Sequence, residues 1–555
     1  MIFQTIFYHT QGEISRCGYK KPDYFNIYIT KTTNITIFNF VLDGGHYWFI
    51  IMSDKVGEIR QKADCRKGRK NMKKRWLAVV LAGALAGASL AGCSGSDPQG
   101  PIISPEDPIE EEVTINFWGW GDLAEQQNYQ TLVNQFMAEE GNENITVIYR
   151  GINSATYMTT LRASARNLPE LFYMPDYDFL EWVSAGSLKD ISAYVEEEEL
   201  SQLWPQAVDE YYYNPDTATL GQSEGAGLYG LPKDLGPFTL VYNKSLLDAR
   251  IEQKGLDADE IYAEYLTPTQ AMTWEKFRTL LKMLVNDANN DGTPDDSVYG
   301  ISHYEIETAV YSNNANFFND DASEQRITDQ NFIDALQFIA DLTLVDHVMV
   351  PSALQSDMDG FTRFVNQQCI FSFMGPWDCA QFWGFDIPFT YNILPVPYNG
   401  ENPDAMSTAW VGSMGYCVSA RANSLQTAAA MRLAKYLCMN EEAQREFYEL
   451  GQQVPNLVSM ATDEYLNDTQ GLLEGKDPAD RSVWVDTING TSDTDRIGGK
   501  VRPRYYTYSS GWYDDFLTYI DEQGLWTGER TAEQICKAYA PSFQSALTEM
   551  KANLG

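Results

Sequence analysis

The chain has 555 residues, with 44% apolar and 21% charged side chains, enough for two to four domains of ~100–200 residues around a large core. Acidic residues outnumber basic ones 77 to 40, a formal net charge of −37. A body this acidic repels phosphate backbones, so nucleic acid is excluded as a partner, and four histidines make dense histidine metal sites and histidine-based catalysis poor explanations.

The charge is unevenly placed. Residues 1–71 hold 11 Lys/Arg and 6 Asp/Glu, whereas residues 94–555 hold 26 and 71. Between them, Met72-Lys-Lys-Arg75 is a basic start, Trp76 to Gly92 is an uncharged run, and Leu90-Ala-Gly-Cys93 closes it. A basic region, a short apolar stretch and small residues make a secretory signal, and the run is shorter than the ~20 residues of a membrane-spanning helix. Its end resembles the bacterial lipobox, which implies lipidation at Cys93. A signal is read near an N-terminus, so residues 72–92 are expected to be the signal peptide and residues 1–71 a non-native upstream extension. The Ile-, Phe- and Tyr-rich run Tyr24 to Ile51 has strand character. Residues 93–112, rich in Ser, Gly, Pro and acids after the cysteine, read as a flexible tether. The five later cysteines, 369, 379, 417, 438 and 536, are too sparse for a disulfide framework and read mainly as buried thiols.

In the body, Val113 to Phe117 reads as a strand. Tyr129, Leu132, Val133, Phe136 and Met137 share a helix face that Gly141 can end. Ile145 to Tyr149 is a second strand, Tyr157, Met158 and Leu161 mark a helix, and Leu171 to Met174 is a third strand. This alternation predicts an α/β protein with parallel strands wrapped by helices. Further on, Phe332, Leu336 and Ile339 share a helix face, as do Leu425, Ala429, Leu433 and Tyr436. Glu441-Glu442 suits a helix start and Gly451 its end.

Two motifs fit on paper and fail in context. Gly221-Gln-Ser223-Glu-Gly225 has the nucleophile-elbow spacing, but loop-like sequence flanks it on both sides. Gly225-Ala-Gly227-Leu-Tyr-Gly230 has the dinucleotide spacing, but Leu231-Pro232 follows where a helix should begin. The run from Asp287 to Asp296 places Asp287, Asn289, Asp291, Thr293 and Asp295 at alternate positions with Gly292 sixth, as in a calcium loop. Val298 stands at the twelfth position, where a bidentate glutamate closes such loops. A structural calcium site closed by another residue and a plain Asp/Asn/Gly turn both stay open; no other cofactor is required.

Many aromatics sit beside turn residues and acids: Trp118-Gly-Trp120-Gly-Asp122, Tyr173-Met-Pro-Asp176-Tyr-Asp178, Gly375-Pro-Trp377-Asp378, Ala409-Trp410-Val-Gly412 and Gly511-Trp512-Tyr513-Asp514. A ring at a strand end stacks on the apolar face of a sugar while a neighbouring carboxylate accepts its hydroxyls.

From Val113 onward the chain resembles the extracellular solute-binding proteins of carbohydrate ABC transporters, family 1, the maltodextrin-binding type. The carriers are the first strand into Gly121-Asp122; Tyr229-Gly-Leu-Pro232 leading to Leu240-Val-Tyr-Asn-Lys244; Thr273-Trp-Glu-Lys-Phe277; Phe373-Met-Gly-Pro-Trp377; Val411 to Ser419; and Glu441-Glu-Ala-Gln444 with Gly451 and Pro455. The resemblance implies a two-lobe periplasmic-binding-protein-like fold, each lobe a mostly parallel sheet flanked by helices. Residues 113–233 with about 412–470 would form lobe 1, and 234–411 with about 475–555 lobe 2. Crossings are expected near Lys233–Leu235, near Thr408–Gly412 and at about 465–485. It further implies an oligosaccharide ligand, ABC permease subunits as partners, no enzyme activity, and a monomer lipid-anchored on the outer face of the cytoplasmic membrane of a Gram-positive bacterium. Asp122 matches a position that accepts sugar hydroxyls, Trp377 a stacking tryptophan, and Trp512-Tyr513 an aromatic pair. Trp120, Tyr173, Asp176, Asp178, Asp234 and Trp410 complete the expected ligand site. The rival readings are a secreted glycoside hydrolase or lyase, and a binding protein for a non-sugar ligand.

Overall fold

The computed structural model describes residues 6–7, 27–32, 35–42, 45–52 and 102–555, except 290, 320–321, 386, 491–496, 498–510 and 555. Two compact units arise, Met1–Asp97 and Pro98–Gly555. In the first, β1 (Ile6–Phe7), β2 (Ile27–Thr32), β3 (Ile35–Leu42) and β4 (Gly45–Met52) pair in sequence order as an antiparallel meander. The expected signal peptide and Cys93 lie outside the described residues.

The second unit holds the two-lobe α/β body. Its first sheet joins β5 (Val113–Trp120), β6 (Ile145–Ile152), β7 (Leu171–Pro175), β11 (Leu231–Pro232) and β18 (Met414–Val418) in the order β11-β18-β7-β5-β6. The second sheet joins β13 (Thr239–Asn243), β14 (Tyr299–Ile301), β15 (Cys369–Met374) and β16 (Tyr391–Leu394) in the order β14-β15-β13-β16. A small sheet of β8 (Tyr212–Asn214), β9 (Thr219–Leu220) and β10 (Gly227–Leu228) stands beside the first. Between the large sheets, β12 (Gly236–Pro237) and β17 (Val411–Gly412) pair antiparallel, Gly236 opposite Gly412.

The sheets are mixed where mostly parallel ones were expected. β6, β5 and β7 are parallel, as are β14 and β15, whereas β18 against β7, β11 against β18, and β13 against β15 and β16 are antiparallel. The reason lies in the chain path. β5, β7 and β15 run towards the cleft between the sheets, while β13 and β18 start at the β12/β17 ribbon and run away from it. Further along, Glu464 pairs with Arg445, and Asp477 accepts the Tyr391 N–H of β16 at 3.0 Å.

Local sequence explains the elements. Asp122 caps the helix Leu123–Ala138, its Oδ1 accepting the Glu125 N–H at 2.8 Å, and Tyr129, Leu132, Val133 and Phe136 are buried on its inner face. Asn440 caps Glu441–Glu449 by accepting two N–H groups, and Gly451 follows it with φ of 71°. The end of the expected tether is docked: Ile109 is 5% exposed, and Arg432 donates to the carbonyls of Pro105 and Asp107. Pro105 is buried as well, Asn144 Nδ2 donates to the Ile109 carbonyl at 2.8 Å, and Lys435 pairs with Glu106 at 3.2 Å, so an otherwise polar segment is held at several points. Cys369, Cys379, Cys417, Cys438 and Cys536 are buried and unbridged. Among the described residues no helix is long and apolar enough to cross a membrane.

Candidate functional site

The ends of β5, β7 and β15 meet the two ribbon passages around a cavity of about 450 Å³, within the range of small-molecule pockets. β5 supplies Trp120, with Gly121 and Asp122 after it. β7 leads to Asp176 and Tyr177, and β15 leads to Trp377 and Asp378. The passage at 233–234 supplies Lys233 and Asp234, and the one at 410–414 supplies Trp410, Gly412, Ser413 and Met414. Six of the ten expected ligand residues therefore line one cavity: Trp120, Asp122, Asp176, Asp234, Trp377 and Trp410.

The aromatic walls are set by their backing. Trp377 is parallel to Phe238 within 5°, centroids 6.0 Å apart, and stands at 83° to Trp410 at 6.4 Å. Trp120 meets Tyr157 edge-on at 5.4 Å. All three tryptophans remain partly exposed.

The polar floor is acidic. Asp122, Glu125, Asp176, Asp234 and Asp378 face the cavity, against one cationic side chain among the described lining residues, Lys233. Lys233 is 3% exposed, with its Nζ 2.7 Å from Asp234 Oδ2 and 3.4 Å from Glu125 Oε1. The same Nζ lies 5.6 Å from the Tyr129 ring and 5.5 Å from the Tyr173 ring. Burial disfavours this ammonium, but Asp234 and Glu125 outweigh it and hold the lysine pKa above its usual range. Burial pushes the Glu125 carboxyl up to about 7, with Lys233 opposing. Burial likewise raises Asp176 to about 7, although the Ser413 N–H donates to its Oδ2 at 3.0 Å. Asp378 reaches about 7 through burial, with the nearby Asp122 charge adding to it and a 2.9 Å bond from the Gly375 N–H working against it.

Four expected ligand residues lie elsewhere. Tyr173 is fully buried among Phe117, Tyr129 and Tyr416, so it supports Lys233 from below. Asp178 is two helical positions beyond Asp176, hence on another face, where it pairs with Arg162 at 3.0 Å. Trp512 is 3% exposed, packed on Phe318 and Phe543 where the helix Gly511–Glu522 meets Ala532–Leu554. Tyr513 lines a separate cavity of about 350 Å³ with His303, Glu305 and Trp526. Glu125, Lys233, Tyr177 and Asp378 also line the cavity and were not among the expected ligand residues, although Lys233 was expected at a crossing and Asp378 stood in the Trp377 motif. Asp378 follows Trp377 directly, and Lys233 precedes Asp234, so adjacency was the available signal.

In the 287–295 loop the oxygens turn onto the loop's own backbone. Asp287 accepts the N–H groups of Asp291 and Gly292, Asp291 that of Thr293, and Asp295 that of Ala288, while Asn289 Nδ2 donates to Asp291. No group of three His, Cys, Asp or Glu side chains placed to hold a metal occurs among the described residues.

A family model described as bacterial extracellular solute-binding protein matches residues 112–443, more than half of the chain. The chain belongs to this family. Its proteins work outside the cytoplasm and bind substrates. No curated protein matches. Solved structures share the fold. An ABC substrate-binding protein from Listeria monocytogenes, in complex with cycloalternan, aligns with a TM-score of 0.62 at 19% identity, over 79% of this chain and 100% of that one. A solute-binding protein from Thermotoga lettingae, bound with α-D-tagatose, gives 0.60 at 19%, over 78% and 99%. The maltose/maltodextrin-binding domain from Bdellovibrio bacteriovorus, bound to maltotriose, gives 0.56 at 18%, over 79% and 100%.

Proposed function

We propose that this solute-binding protein captures an oligosaccharide in the cavity between its lobes and delivers it to an ABC transporter permease, as a monomer held by lipid on Cys93 at the outer face of the cytoplasmic membrane of a Gram-positive bacterium. The observation that carries the reading is the cavity itself: Trp120 on one side, Trp377 and Trp410 on the other, and carboxylates between them. Rings stack on sugar faces and carboxylates accept hydroxyls, while contacts on both lobes favour the closed arrangement by differential affinity. Cycloalternan and maltotriose, bound in two of the structural relatives, agree with an oligosaccharide, and tagatose in the third agrees with a sugar. Turnover is not part of this function.

A second reading is favoured by the acidity. Five carboxylates against Lys233 among the described lining residues also suit an ammonium-bearing ligand. The test is a thermal-shift screen against mono- and oligosaccharides, maltotriose and glucosamine oligomers included, with spermidine as the non-sugar arm and product analysis after incubation. A ligand at ~100 times its Kd adds ~2.7 kcal/mol. Stabilisation by sugars without products supports the proposal. Stabilisation by spermidine alone replaces it, and released fragments convert it to a hydrolase or lyase.

A further inference from the structure

The two tryptophans of the lobe 2 wall rest on the backbone of the ribbon that joins the lobes. Gly236 and Gly412 are opposite each other in the β12/β17 pair. A Cβ at Gly236 would come within 2.5 Å of Trp377 Cζ3, and one at Gly412 closer still to Trp410 Cη2. Gly375 lies under the same Trp377 ring, also too close to accept a Cβ. None of these three glycines has a positive φ, so no left-handed backbone conformation requires glycine there. What excludes a side chain is the indole.

We propose that Gly236 and Gly412 are positioning residues for ligand binding: they seat the Trp377 and Trp410 rings directly on the lobe-joining ribbon, so that ring placement and lobe arrangement are set together. This rests on the reading of the cavity as the ligand site. A ligand stacked on either ring then bears on the ribbon glycine beneath it as well as on Phe238, which packs against both rings. A methyl group at Gly236 lifts the Trp377 ring or splays the ribbon, and either movement spoils the 83° corner the two rings form. Rings held in contact with backbone are also restricted before a ligand arrives, which lowers the ordering cost of binding.

The test makes Gly236→Ala and Gly412→Ala in the parent and in Trp377→Ala and Trp410→Ala backgrounds respectively. Without ligand, the far-UV exciton signal of the Trp377–Trp410 pair is isolated as the difference between parent and Trp377→Phe. It should lose most of its amplitude in each glycine variant. With maltotriose as probe, Gly236→Ala should weaken binding about tenfold in the parent and less than about twofold where Trp377 is already alanine. An unchanged exciton signal in a folded glycine variant overturns the proposal, as does an equal loss of affinity in both backgrounds. If Gly236→Ala melts early, Trp377→Ala should restore most of the lost melting temperature, and no recovery also overturns it. Failure of the parent to bind maltotriose bears on the ligand reading, whereas the exciton arm still decides the role of the glycines.

Discussion

Replacing Asp378 with asparagine should raise the melting temperature at pH 8 and leave it nearly unchanged at pH 4. Asp378 opens the helix Asp378–Gly384, faces the cavity and accepts the Gly375 N–H, a bond that an asparagine carbonyl keeps. Its folded pKa is raised from 3.8 to about 7, chiefly by burial. A carboxyl raised in this way stabilises the fold below its unfolded pKa and loses that contribution as pH rises through about 7. At ~1.36 kcal/mol per pKa unit the full effect is ~4 kcal/mol, and water reaching the cavity side reduces it to about 2 kcal/mol. The expected gain at pH 8 is roughly 2–4 °C. The assay is differential scanning fluorimetry of parent and variant from pH 4 to 8. A pH-independent difference, or a lower melting temperature for the variant at pH 8, would refute the argument that burial and the facing Asp122 strain this carboxylate.

Three further outcomes follow from the same geometry. Trp377→Ala should weaken binding of the ligand found in the screen by ~1–3 kcal/mol, read by calorimetry, and unchanged affinity in the folded variant would remove the ring from the site. Lys233→Met leaves Glu125 and Asp234 without the buried ammonium they share, so stability should fall by ~3–5 kcal/mol at pH 8 in denaturant titration, and less at pH 5, where Glu125 is protonated; equal losses at both pH values would contradict that pairing. For a plain turn at 287–295, held by its own N–H bonds to Asp287 and Asp291, millimolar calcium or EDTA should not move the melting temperature; a calcium-specific rise would make the loop a metal site.

The strand-helix alternation was legible because it is local: the period of Tyr129, Leu132, Val133 and Phe136 marks a helix wherever the sheet lies. The antiparallel return strands β13 and β18 were not, since their direction depends on where the chain re-enters a lobe. At the site, Trp120, Trp377 and Trp410 could be found because each lies within two residues of a glycine near an element end. Tyr173, ahead of Pro175-Asp176, and Trp512, after Gly511, also stand near turn residues and acids yet fill the core, and only packing separates the two cases. Lys233 was hidden for the opposite reason. Its role comes from Glu125, far away in sequence, and from the rings of Tyr129 and Tyr173 beneath it. The acid-rich loop after Asp287 shows a spacing pattern that a turn satisfies as well as an ion does.

The most direct test of the account is a calorimetric titration of the parent protein and Trp377→Ala, side by side, with the oligosaccharides that stabilise the parent. A carbohydrate site walled by Trp377 gives saturable one-site heat for the parent with at least one oligosaccharide class and a markedly weaker isotherm for the variant. Heat that is absent with every sugar, or identical in the two proteins, would contradict the claim that this cavity is a carbohydrate site.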